Sequence, residues 1–201
     1  MLKEFDNIRT KDFKLFDCNH GKNPINILDE RSMSRSLYWN KKPLLLNHSN
    51  KQLQIKLIGY EVPLGTNIND QQFIDLVGLD ESHVLYLIET KNNSSREKPS
   101  DVVKNQINKY YERLKKSLPY LVAELNQNEK YRDVKVDKIT KILLAPLIYF
   151  QKHESNIALV DDDVLLCYFA KSIEYSDIKS VSDDDGSIRL CIYTPDSLGN
   201  K

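Results

Sequence analysis

The sequence predicts an α/β domain: a mixed central β-sheet flanked by helices. Three observations carry this. Apolar runs over 53–64, 73–79 and 84–90 read as three early strands. A helical pattern begins near Pro99 and runs to about Leu125. Apolar runs near 139–150, 158–170 and 188–194 then supply later strands or a strand–helix pair. Early strands, a long helix and further strands make an α/β or α+β domain with a mixed sheet.

The elements follow in order. Residues 1–28 lack strong periodicity, with Phe13 and Phe16 placed to cover a core edge. DERSMSRSLYWNKKPLLL, from Asp29, predicts a helix: Asp29 caps it, Met33 and Leu37 share a face with Tyr38 beside them, and Pro43 stops it. QLQIKLIGYEVPL alternates at Leu53, Ile55 and Leu57, as a half-buried strand does. GTNIND is a loop. FIDLVGL and VLYLIET are two strands joined by DESH, a connection short enough for a hairpin. After the polar loop NNSSREKPS a helix begins with Ser100 as N-cap. Val103, Ile107, Tyr110 or Tyr111, and Leu114 recur at helical spacing, and Pro119 marks a kink or a restart. IRLCIYT is the last strand, after the turn DDDG.

With 201 residues the chain can bury a core without staples, and one domain is expected, with a core over 29–170 and extensions at 1–28 and 171–201. Three cysteines, Cys18, Cys167 and Cys191, show no paired spacing, which fits a reducing compartment and gives no zinc signal. The first residues carry no signal-peptide pattern, and the longest apolar run, ILLAPLIYF, is too short to span a membrane. These features predict a cytoplasmic protein with no membrane partner. Net charge is zero, but Lys91–Lys116 holds eight basic and three acidic residues, which hints at an anion-facing surface. The four histidines are scattered without ligand spacing, and the acid-rich turns do not match a calcium loop.

Charge inside the apolar strands is the informative feature. Asp75 interrupts FIDLVGL, and Glu89 and Lys91 close VLYLI. Residues two apart on a strand share a face, so Glu89 and Lys91 point the same way. If the strands pair through DESH, Asp75 comes near Glu89. Two carboxylates so placed need a counter-charge, and oxygen ligands without His or Cys favour Mg2+, with Mn2+ as the substitute. The Thr90 backbone carbonyl can add another oxygen. Lys91 beside them can orient an attacking water or neutralise a phosphate, which suits phosphodiester hydrolysis. An acid, any residue and a lysine also occur at Asp12/Lys14, Asp133/Lys135 and Asp177/Lys179, but those sit in polar stretches.

IDLVGLD and LIETK, with GYEVPLG upstream, resemble the PD-(D/E)XK nuclease superfamily over roughly residues 29–116. The resemblance implies a restriction-endonuclease-like core. It implies a nuclease that needs Mg2+ and cuts DNA to leave a 5′-phosphate, in restriction, repair or a mobile-element or phage setting. It places Asp75 and Glu89 as metal ligands, Lys91 as the water-positioning group, Glu30 as a further acid on the upstream helix, and Gln106 and Tyr110 on the helix after the lysine strand. Ile74 stands where a proline is usual, and the long loop before it leaves Asp70 as a rival acid. Arg96, Lys98, Lys104, Lys109, Arg113 and Lys116 are candidate phosphate contacts, of which Lys109, Arg113 and Lys116 share a helix face. RNA is the alternative substrate, and a homodimer is one way to cut both strands. The alternative function is a catalytically silent protein of this type that binds nucleic acid or a protein partner.

Overall fold

Among the described residues, seven strands form one closed sheet, because the last strand is paired along both of its edges. The computed structural model describes residues 30–48, 51–64, 72–171 and 182–194. Helix α1 (Glu30–Trp39) leads into β1 (Leu44–His48) and the long β2 (Lys51–Pro63). Strands β3 (Phe73–Leu79) and β4 (Val84–Thr90) follow. The chain then winds as α2 (Pro99–Val102), a π-helical segment (Val103–Ile107) and α3 (Asn108–Leu125). Beyond a 3-10 turn (Glu129–Tyr131) come β5 (Lys138–Ala145), the short helices α4 (Leu147–Lys152) and α5 (Glu154–Ile157), β6 (Val164–Phe169) and β7 (Ile188–Ile192).

This architecture corrects the expected restriction-endonuclease-like core, an open mixed sheet flanked by helices. Strand β7 pairs antiparallel with β6 and parallel with β1, aligning Leu44 with Ile188 and Leu46 with Leu190. The sheet becomes a barrel of order β1-β2-β3-β4-β5-β6-β7. An alternating apolar strand has the same sequence pattern whether one edge or both are bonded, so closure left no local signal.

Local chemistry explains most elements. Met33 and Leu37 lie one helical turn apart in α1 and are fully buried. The helix ends before Pro43, and LLL, to which the sequence pattern assigns no element, opens β1. Asp80 fixes the β3–β4 turn: its Oδ1 accepts from the Ser82 and Val84 N–H groups at 2.8 and 2.9 Å, and its Oδ2 from the Tyr86 hydroxyl at 2.8 Å. A Cβ at Gly78 would come within 2.4 Å of Ile55 Cγ2, so β3 lies this close to β2 only because that residue is glycine. The expected Ser100 cap is corrected: Lys98 holds the N-cap position and Pro99 opens the helix, while the Ser100 N–H donates to Asn156 Oδ1 at 3.0 Å. Pro119 neither ends nor restarts α3, which continues to Leu125. Phe13, Phe16, Cys18, Asp29, Asp70 and the pairs Asp12/Lys14 and Asp177/Lys179 lie outside the described residues.

Two apolar cores result. The first takes residues from all seven strands, among them Leu46, Ile55, Leu76, Ile88, Leu144, Phe169 and Ile188, together with Met33 and Leu37 of α1. Drawing on every strand, it fills the barrel interior. The second packs Leu85, Leu87, Leu143 and Leu166 on the outer face against Val103, Ile107 and Leu114 of the helical segments and Tyr149 and Phe150 of α4. No helix among the described residues is long and apolar enough to cross a membrane.

Candidate active site

The β3–β4 hairpin sets the site. Its register pairs Leu76 with Ile88, so Asp75 and Glu89 follow as cross-strand neighbours. Strand alternation puts Glu89 and Lys91 on the face of Leu85 and Leu87, in the outer core, where both are buried. The Lys91 N–H donates to Leu144 O at 2.9 Å, fixing the backbone past the end of β4.

Lys91 Nζ lies 3.1 Å from Glu89 Oε1, 3.3 Å from Glu30 Oε2 and 3.1 Å from Glu97 Oε2. An ammonium has three donors, and here each meets a carboxylate. Asp75 adds a fourth acid. Its Oδ2 accepts from the Thr90 N–H at 2.8 Å and the Thr90 hydroxyl at 2.7 Å. The Thr90 hydroxyl also sits 2.7 Å from Ser34 Oγ, which donates to Glu30 O at 2.8 Å. Two hydroxyl protons thus serve three contacts, and a proton on Asp75 would satisfy all three.

The charge balance is the unusual property. Four carboxylates surround one ammonium, and Glu89 Oε2 is buried with no hydrogen-bond partner. Burial, then the Asp75 charge, push the Glu89 carboxyl up to about 8, and Lys91 only partly offsets them. Burial also raises Asp75, against the Thr90 hydrogen bonds and Lys91. Burial alone would lower Lys91, but Glu89, Glu30 and Glu97 together hold it above its ordinary value. Burial, then the charges of Glu89 and Asp75, raise the Tyr110 hydroxyl to about 12, so that phenol lies within reach of the site's charge.

The structure gathers Glu30, Asp75, Glu89 and Lys91 and brings Gln106 to their rim. Gln106 lies in the π-helical segment, where its Nε2 donates to Glu97 Oε1 at 3.0 Å and its Oε1 is buried without a partner. π-helical turns often mark functional positions. The side chain and N–H of Thr90, rather than its carbonyl, make the contacts described above. Arg96 and Lys98 flank Glu97 on the loop and are exposed. Lys104 is exposed on the π-helical segment, Lys109 and Lys116 are exposed along α3, which carries Tyr110, and Arg113 is half-buried on α3. Asp133 and Lys135 are exposed, as solvated residues are.

Sequence reasoning missed Glu97, Ser34 and Tyr149, whose hydroxyl donates to Glu97 O at 2.9 Å. Glu97 sits in a polar loop with no periodic pattern. Ser34 carried a usable signal: it lies one helical turn after Glu30, on the face that would meet the strand acids.

Among the described residues, no group of three or more His, Cys, Asp or Glu side chains stands ready to hold a metal ion. Lys91 fills the space between the acids. The donor set still fits a hard dication in one respect: the orphaned Glu89 Oε2 and the carboxylates of Glu30 and Asp75 are oxygen donors gathered around a single ammonium. No family model matches the chain, no curated protein matches it, and no solved structure matches it.

Proposed function

We propose that the chain is a Mg2+-dependent nuclease that hydrolyses phosphodiester bonds, with DNA as the substrate. One observation carries this reading: a buried Glu89–Lys91 pair beside Asp75, with more carboxylate than the ammonium can balance and one carboxylate oxygen unpaired. The resemblance to PD-(D/E)XK nucleases supports it through the motif residues alone, since the barrel differs from that family's core. Perturbed acids clustered around a lysine are a common property of catalytic sites.

Asp75 and Glu89, with Glu30 and the Thr90 carbonyl, would hold Mg2+ or Mn2+. When bound, the ion would acidify water and neutralise charge on the phosphate. Lys91 would orient the attacking water and steady the negative charge on the phosphate oxygens. To do so it must release one carboxylate. Glu97, whose side chain is 50% exposed, can turn into solvent, whereas Glu89, at 6%, cannot. Thr90 would keep Asp75 aimed, and Arg96 and Lys98 would meet the backbone of the substrate.

The saturation of Lys91 by three acids favours a second reading, a catalytically silent protein that binds nucleic acid or a protein partner through other surfaces. One experiment separates them: pure protein with supercoiled plasmid, linear DNA and RNA, in magnesium, manganese or EDTA. Metal-dependent cleavage lost in Glu89→Ala supports the nuclease. Cleavage that survives in Glu89→Ala rules out this site, and binding with no cleavage in any metal leaves the second reading.

A further inference from the structure

A second cleft, of about 400 Å³, opens at the other end of α1. Trp39 and Tyr131 line it, together with Lys41, Lys42, Lys56 and Lys130. Lys41 Nζ stands 5.7 Å from the centroid of the Trp39 ring, and Lys130 Nζ 5.4 Å from that of Tyr131. Tyr38 also lines the cleft, with its ring edge-on to Trp39 at 6.0 Å. The described lining contains four lysines and no carboxylate. Glu81, 79% exposed, meets Lys56 only at 4.0 Å, and the charge of Asp185 reaches Lys42.

Lys41 adds an independent observation. It follows the end of α1 with φ 54, the left-handed conformation that glycine adopts without strain. A lysine held there places its ammonium over the Trp39 face at a conformational cost.

We propose that this cleft binds single-stranded nucleic acid, its aromatic rings stacking bases and its lysines holding phosphates. Flat rings interleaved with cations suit a single strand, whose bases are free to stack, better than a duplex, whose bases are already stacked. A simple polyanion would use the lysines and leave the rings idle. The cleft and Glu30 sit at opposite ends of the ten-residue α1, about 15 Å apart along its axis. Binding at the cleft does not depend on cleavage at Glu89.

Trp39 is the only tryptophan in the chain, so its fluorescence reports this cleft directly. The experiment titrates the full chain, in EDTA so that cutting plays no part, with oligo-dT, oligo-U, a DNA duplex and polyphosphate. The expected result is saturable quenching by a single strand, with oligo-dT and oligo-U telling a DNA preference from an RNA one. Affinity should fall with salt on a log–log slope of about −3 if all four lysines meet phosphates. In anisotropy with a labelled strand, Trp39→Ala should weaken binding about tenfold, and the double variant Lys41→Ala/Lys130→Ala should also weaken it. Circular dichroism melting would confirm that both variants fold. The proposal is overturned if no single strand quenches Trp39, if the duplex binds more tightly, if polyphosphate quenches equally, or if folded variants bind as the natural chain does.

Discussion

Lys91, just past the end of β4, and Lys141, on the neighbouring β5, are two buried lysines that differ in how their charge is met. Lys141, on β5, is aligned with Leu87 of β4 and so sits two residues from the register of Glu89. Its Nζ lies 2.7 Å from Asp163, donates to Asn108 Oδ1 at 2.8 Å, and stands 5.3 Å from the Tyr111 ring centroid. One cation meets one carboxylate, a carbonyl and a ring face, and the Asp163 side chain is 68% exposed. Lys91 meets three carboxylates, with Asp75 close by and an unpaired oxygen on Glu89. A buried lysine matched one to one fastens α3 and the 161–163 turn to the sheet. An outnumbered one leaves charge for something else to neutralise. Burial of a lysine alone therefore does not mark a site; the imbalance around it does.

Cleavage gives the widest separation of the two. Glu89→Gln or Lys91→Met should lower magnesium-dependent nicking of plasmid by roughly 10²- to 10³-fold, the loss expected when preorganised charge is removed. Lys141→Met should leave nicking unchanged. Equal loss in all three variants would make the contrast one of folding.

Stability in urea without metal comes next. Lys91→Met leaves three acids facing one another and should cost about 3 kcal/mol at pH 7. Lys141→Met should cost about 1 kcal/mol, since Asp163 can return to water. A larger cost at Lys141 would reverse the assignment of roles.

The pH dependence sharpens the same point. The Glu89 carboxyl titrates near 4.5 when unfolded and near 8 when folded. Between those values the folded chain holds a proton that the unfolded chain has released. The contribution of Glu89 to metal-free stability is thus full below the lower value, falls as pH rises, and is gone above the higher one. Glu89→Gln should flatten that slope in urea melts taken across the window. Magnesium should stabilise the natural chain most near and above the upper value, because the ligand must be deprotonated. A natural chain with the same slope as Glu89→Gln would show that Glu89 is not the titrating group.

The smallest effects lie at the supports. Thr90→Val removes the hydroxyl shared by Asp75 and Ser34 and should cost about 1–2 kcal/mol. Ser34→Ala should cost about 1 kcal/mol. Both are read by the urea midpoint, and Thr90→Val should also raise the magnesium concentration needed for half-maximal nicking.

The site was more legible than the fold. Asp75, Glu89 and Lys91 stood out because each breaks an apolar run, and a short turn between two strands fixes register over a few residues. Glu30 could be placed only through the family resemblance. Glu97 was invisible because a loop side chain obeys no period. The barrel was invisible for a different reason: β1 and β7 are some 140 residues apart in the chain, as Leu44 and Ile188 are, and nothing local records that pairing.

The sequence by itself determined the strand runs, the hairpin that sets Asp75 beside Glu89, and the side of the strand on which Glu89 and Lys91 fall together. These follow from periodicity and turn chemistry, which act over a few residues. Only the tertiary structure decided that β7 would close the sheet, that Glu30 and Glu97 would converge on Lys91, and that Trp39 would share a cleft with Tyr131. Those contacts join segments far apart in sequence, and their free energy comes from burial and charge that exist only once the chain has folded.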